Sequence, residues 1–390
     1  VSNTETGTNP ETGASIKIKV LNVSKRELFE DLDGTPAFDQ SQIFKLVYDD
    51  VFARRDGEPF DILIGDYRLS HHSDDVDLLT KISGVAASAD CPFISAAAPT
   101  LFGLDSYAEF GKLGDLAKIF DTAEHEEWRA FRESEDSRFV VLTLPRVLSR
   151  RPYAKHTSPF REFAFEETKR DSAGGSVPMR HEHYAWMSPA FVYGMCIARA
   201  FQLYGWFERI KGKEGGGLIE GLPTSTFLQD DGTPEPTCPA EISIGERRDA
   251  ELSRLGLLPL SHCRGTDRAV FAGCATMQRP RKYDRPEATE HATLHARLPF
   301  VLVASRIAHY LKVIARDKPG GLLDARQGTE YLDRWINQWV CRESNPTAGT
   351  RAVFPFSAAR VEVFEIEDVL RHARGSGCMS LATSLHRCGW

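Results

Sequence analysis

From Ser15 the chain alternates: Ile16, Ile18 and Val20 stand against Lys17 and Lys19, a period of two that predicts a half-buried strand. Ser24, with Glu27 three residues on, predicts a helix start closed by a capping box. Within Gln40–Phe52 the residues Ile43, Val47 and Val51 recur at helical spacing. Phe60–Gly65 reads as a strand, Asp74–Ala89 as a helix, Pro92–Ala97 as a strand, and Ser106–Phe120 again carries helical spacing. The stretch Glu127–Tyr153 opens as a charged helix. It closes on an almost wholly apolar run, Phe139–Leu144, as a strand covered on both faces does. Pro145 ends that run, and Arg146, Arg150 and Arg151 follow in a basic loop. Strands alternating with helices predict an α/β fold with a mostly parallel sheet packed between helices.

The second half is less regular. His156–His183 is polar and predicts an exposed excursion; Ser188–Ile210 predicts an apolar helix. Glycines at Gly215–Gly217 and the Pro, Asp, Gly and Thr of Pro223–Pro239 predict loops. Ala240–Leu260 reads as strand, charged helix, strand. After a basic linker, Arg279–Arg285, Glu287–Arg316 is the longest helical segment. Leu298, Val301, Ile307, Leu311 and Ile314 form its apolar side, and Pro299 is placed to kink or divide it. Past Gly320–Gly321, a second helix carries Leu332, Trp335, Ile336, Trp339 and Val340 as one stripe, and Arg351–Phe364 reads as one or two strands. The division this predicts is a disordered or linker segment at 1–14, a mixed α/β body at 15–285 and a smaller α+β domain at 286–390.

Composition narrows the function classes. A chain of 390 residues exceeds one ordinary core, and 42% hydrophobic with 10% aromatic residues suits a folded protein. A formal net charge of −7 argues against general nucleic-acid binding, which needs a basic surface. No apolar run reads as a membrane span, and no basic-then-apolar signal opens the chain. The 8 cysteines are scattered without a CxxC pair, which reads as reduced thiols in the cytoplasm.

The wording then becomes specific. IKIKVLNVSKREL from Ile16, IGDY at Ile64, CPFISAAAPTLFGLDS at Cys91, FRESEDSR with LTLPR and RPY, YGW at Tyr204, LGLLPL at Leu255 and EATEHATLHARLPFVLVASRIAHYLKV at Glu287 occur in this order. Together they resemble the large sheath subunit of the type VI secretion system, the TssC/VipB/EvpB family, over about Ile16–Glu365. The resemblance implies a sheath-like α/β body and a C-terminal domain facing an inner tube. It implies a mechanical role: contraction that propels the tube, with no catalysis and no cofactor. The partners it implies are a small sheath subunit (TssB/VipA type), an inner tube protein (Hcp type) and the baseplate. An ATP-driven unfoldase (ClpV type) recycles such sheaths through an N-terminal region of the large subunit that does not precede Ile16 here. The tail Leu370–Trp390 departs from the family's final strands. A non-polymerising adaptor and an α/β enzyme with a dispersed site stay open as alternatives.

Candidate chemistry is sparse. His181–His183 offers two ligands on a strand face with no third at metal spacing; His291 and His295 stand one turn apart outside an HExxH motif. Gly212–Gly217 lacks the GK[ST] ending of a phosphate cradle. Asp74, Asp75 and Asp77 suit a helix N-terminus as well as a cation. No metal site follows from these. The candidate interfaces are the opposed charges Arg132, Glu133, Glu135, Asp136 and Arg138, and the polar side of the Trp335 helix: Arg334, Asn337 and Gln338. Core packing competes for Trp335 and Trp339 themselves.

Overall fold

The structure is a computed structural model. It describes residues 4–8, 15–153, 165, 167–170, 176–178, 184–224, 226–228, 234–317, 325–365 and 379–387. Its body is a mixed sheet of strands β1 (Leu63–Leu69), β2 (Phe93–Ala97), β3 (Val140–Leu144), β4 (Leu218–Ile219), β5 (Leu257–His262) and β6 (Ala269–Phe271). The order across the sheet is β4-β6-β5-β3-β2-β1. β1, β2, β3 and β5 run parallel, while β6 and β4 are added antiparallel at one edge.

Burial on both faces is what the apolar runs encode. In β2, Phe93 belongs to one core and Ile94 to the other. In β3, Val140 and Leu142 face the first and Val141 the second; in β5, Leu257 and Leu258 divide likewise. Helices α1 (Ser73–Ser88) and α2 (Glu126–Glu133) cover the first face with Leu79, Ile82, Val85, Trp128 and Phe131. Helix α3 (Pro189–Tyr204) covers the second with Tyr193 and Ile197, and Gly205 ends it at φ 72°. Each such side chain taken from water contributes about 1.5–3 kcal/mol before chain entropy is charged against it.

Helix α4 (Glu246–Arg254) leads into β5; helices α5 (Pro286–His295), α6 (Leu298–Asp317) and α7 (Ala325–Ile336) follow. The predicted long helix is thus divided, with Pro299 in the first turn of α6, where its missing N–H costs nothing. α6 is also long and apolar enough to cross a membrane, a run that the sequence reading did not single out. Its apolar side instead packs Val303, Ile307 and Leu311 into a third core with Leu332, Ile336, Phe356, Val361 and Val363, so it serves as a core helix. Strand Phe356–Glu365 pairs antiparallel with Met379–Arg387, which places a strand in the divergent tail.

Several elements differ from expectation. Thr4–Thr8, inside the presumed linker, pairs antiparallel with Ser15–Lys19. That second strand is mostly exposed, with Ile18 54% exposed, and Val20 just past its end is 57% exposed. β1 begins at Leu63 rather than Phe60 and continues through Asp66 and Arg68, since an edge strand has a side open to water. Ser106–Phe120 breaks at Gly114 into Tyr107–Lys112 and Leu116–Phe120. Before α4 the predicted strand reduces to one bridge between Ala240 and Val147. Residues 42–53 are helical with a wider turn at Lys45–Asp49. The capping box holds: Ser24 Oγ accepts from the Glu27 amide, and Glu27 accepts from the Ser24 amide at 2.7 Å.

Candidate functional site: charged surfaces, a cationic joint and a basic cleft

The charges around α2 sort into two kinds. Glu133, Glu135 and Asp136 are exposed and Arg138 half-exposed. Their partners come mainly from the distant basic linker: Arg279 lies 3.6 Å from Glu133 and Arg281 3.6 Å from Glu135. Arg138 approaches Glu135 only at 4.0 Å. Arg132 departs from the expected surface set, being 7% exposed. Trp128, Phe131 and Arg132 share one helical face by their spacing, and that face is the buried one. The Arg132 Nε donates to the Met277 carbonyl at 3.0 Å. Burial, then Arg279, lowers its pKa to about 10, with Glu133 opposing. Gly256, at φ 80°, leaves room for it: a Cβ there would stand 2.9 Å from the guanidinium.

The second group is a joint that the sequence reading passed over. Arg306, His309, Lys312 and Arg316 lie along one side of α6 and reach back to the body. Arg306 pairs with Asp61 at 3.2 Å and lies over Phe201 at 4.5 Å. His309 Nε2 meets the Ala89 carbonyl at 2.8 Å. Lys312 pairs with Asp90 at 2.8 Å and donates to the Ser88 carbonyl at 3.1 Å. Arg316 donates to the carbonyls of Val51, Arg54, Arg55 and Gly57 at 2.6–3.2 Å. Trp206, contributed from the body, packs edge-on against Trp339 and Phe356 in the third core. Spacings of three and four residues were visible; the apolar residues between them masked the pattern.

The Trp335 stripe packs inward. Trp339 stacks on Tyr310 with centroids 5.6 Å apart, and Trp335 meets both rings edge-on. Arg334 and Gln338 are exposed, whereas Asn337 is half-buried and donates to the Asp333 carbonyl at 2.7 Å.

The remaining candidates find ordinary roles. In Gly212–Gly217 the Gly212 amide donates to the Phe271 carbonyl and the Gly217 amide to Gly212, leaving neither for a phosphate. Asp75 accepts from the Ser70 amide and hydroxyl at 2.8 Å each and pairs with Lys25; Asp77 pairs with Lys81. His291 and His295 meet edge-on at 6.1 Å, and His295 stacks on Phe300. His181–His183 lies outside the described residues. Among the described residues, no three His, Cys, Asp or Glu side chains converge as a metal would require. The histidine grouping that does form was not anticipated: His71 stacks on His125 at 4.2 Å and leans on His72 at 4.8 Å.

The open clefts among the described residues include three. One, of about 370 Å³, lies along the joint with Asp61, Arg306 and Arg316. A second, of about 420 Å³, lies between Leu21–Leu28 and Gln42–Asp50. The third, of about 360 Å³, is lined by Arg132, Lys211, Arg254 and Arg297.

Comparison with known proteins identifies the family. The family model VipB, described as EvpB/VC_A0108, tail sheath N-terminal domain, matches residues 5–278. VipB_2, described as EvpB/VC_A0108, tail sheath gpW/gp25-like domain, matches residues 287–373. The type VI secretion system sheath protein TssC1 of Pseudomonas aeruginosa is 45% identical over 363 residues, covering 92% of this chain and 71% of that protein. Solved structures show distant likeness. A chain of the anti-feeding prophage baseplate has TM-score 0.38 and 11% identity, covering 81% of this chain and 63% of its own length. A chain of the contracted anti-feeding prophage helical sheath has TM-score 0.35 and 11% identity, covering 97% of this chain and 76% of its own length.

Proposed function

The chain belongs to the EvpB/VC_A0108 tail sheath family and is a structural component of a type VI secretion sheath; from that premise we propose how it works there. It pairs with a small sheath subunit, and the pairs stack helically around an inner tube in the cytoplasm, on a baseplate. Contraction slides the subunits over one another and drives the tube outward. The chain performs no bond chemistry of its own. The observation that carries this reading is the 45% identity to TssC1 across 92% of the chain.

The physical features fit the role. A sheet buried on both faces makes a stiff body. Exposed ion pairs such as Glu133–Arg279 and Glu135–Arg281 contribute about 0.2–1 kcal/mol each, so single pairs exchange readily while many copies add up. Glu133, Glu135, Asp136 and Arg138 are the surface through which the subunit meets its neighbours, and Arg334, Asn337 and Gln338 face the tube.

The test is co-sedimentation. Co-expressed with its small subunit, the natural chain should pellet as rods. Glu133→Arg with Glu135→Arg should lower the pelleted fraction several-fold without moving the unfolding midpoint, as surface charges do. Unchanged pelleting would remove these charges from the interface, and absence of rods from the natural chain would count against the sheath role itself.

A further inference from the structure

The segment that leads from the body into α5 carries Arg279, Arg281, Lys282 and Arg285 against a single acid, Asp284, and all of them are exposed. It runs beside the end of α2, where the acidic segment Glu133–Asp136 begins. The Arg279 amide donates to the Arg132 carbonyl at 2.7 Å, which sets the two segments in register. Arg279 then stands opposite Glu133 and Arg281 opposite Glu135, a step of two residues on each side. The match is loose. Both separations are 3.6 Å, longer than the about 2.7–2.9 Å of a charge-assisted hydrogen bond, and the side chains are 61–65% exposed. Each segment also has charge left over. Asp136 on one, and Lys282 and Arg285 on the other, are exposed and form no ion pair with another described residue.

We propose that the two segments exchange partners between copies of this chain: Arg279 and Arg281 of one copy take Glu133 and Glu135 of the next in place of their own. The occupant of the basic segment is a second copy because the carboxylates it already holds, at matching spacing, are present on every copy. Each pair given up within a copy is replaced by the same pair between copies, so the exchange itself costs little. The charges left over favour it, since Asp136 of one copy comes within reach of Lys282 and Arg285 of the other. A contact between two different patches is head-to-tail, and such contacts build open helices where they do not close into rings. The exchange rests on the sheath reading, in which Glu133 and Glu135 meet a neighbouring subunit, and names what they meet there.

Charge-swapped chains, full length and co-expressed with the small subunit, test this. One carries Glu133→Arg with Glu135→Arg, the other Arg279→Glu with Arg281→Glu. Alone, each sets like charges together both within and between copies, and its pelleted fraction should fall several-fold. Mixed, each is mismatched within itself but matched across to the other. The mixture should therefore recover most of the natural pelleted fraction, and a tagged copy of one chain should retain the other on a column. No recovery and no retention in the mixture overturns the exchange. Recovery in a chain carrying all four substitutions, where the mixture fails, confines the pairs to single copies. Natural-level pelleting by either swapped chain alone also overturns it. Failure of the sheath reading looks different: retention between the two swapped chains, with no rods from any chain, the natural one included. Unfolding midpoints close to that of the natural chain exclude misfolding as the cause of lost pelleting.

Discussion

At the scale of single residues, a few buried charges carry the consequences. Arg316 gathers four carbonyls of the 51–57 turn in one guanidinium and is 15% exposed at its side chain. Arg316→Ala should cost about 2 kcal/mol, because carbonyls turned toward a charged donor lose it together. Arg316→Lys should restore only part, since an ammonium cannot reproduce the planar fork. Urea unfolding of the three chains measures both. Histidines set the pH response. His71 is held below its usual pKa by burial, then by His125 and His72, against Glu124 and the Thr100 carbonyl. His309 is lowered by burial, and by Lys312, against the Ala89 carbonyl, Asp61 and Asp90. A histidine whose folded pKa lies below its unfolded value, about 6.5, binds its proton more readily in the unfolded chain. Stability is therefore full above that pH and falls as pH drops below it toward the folded values. The melting midpoint should be lower at pH 5.5 than at 7.5, and less so in His71→Phe, which keeps a ring in the stack. Parallel losses in both chains would remove His71 from this role. Arg132 shows what single residues hid: its place four after Trp128 marks a buried face, but acidic neighbours at Glu133 and Glu135 made it read as surface.

At the scale of elements, the central strands were legible because being buried on two faces forces an unbroken apolar run, as in Val140–Leu144. Helix α1 was legible from its spacing and its acidic first turn, Asp74 and Asp75. The edge strand was legible only in part: the apolar start within Phe60–Gly65 was read, but the half of β1 that carries Asp66 and Arg68, on a strand with one open side, looks like loop. Pairing partners were hidden too. Thr4–Thr8 has strand geometry only through Ser15–Lys19, and no local pattern announces it. Close packing between elements adds a test. Gly194 on α3 lets the helix approach β1, where an added Cβ would meet Ile64 Cδ1 at 2.5 Å. Gly194→Val gains some helix propensity but overfills that contact, for a net loss of about 1–3 kcal/mol. Calorimetry of the variant would show it; an unchanged midpoint would mean that the helix and strand can part without cost.

At the scale of the whole molecule, wording succeeded where patterning could not. No catalytic motif, metal spacing or cofactor fingerprint stood in the chain, and the resemblance carried by FRESEDSR, LTLPR and EATEHATLHARLPF was what pointed to a sheath. The joint along α6 was not legible, since its partners Asp61, Ala89 and Asp90 lie more than two hundred residues away in sequence. It couples the body to the third core. The central claim is that this polypeptide is wall material of a contracting cylinder. Electron microscopy of the chain co-expressed with its small subunit tests it most directly. Helical tubules whose repeating unit contains one copy of this chain beside one small subunit are the predicted result. Discrete soluble particles that never extend into a helix would contradict it.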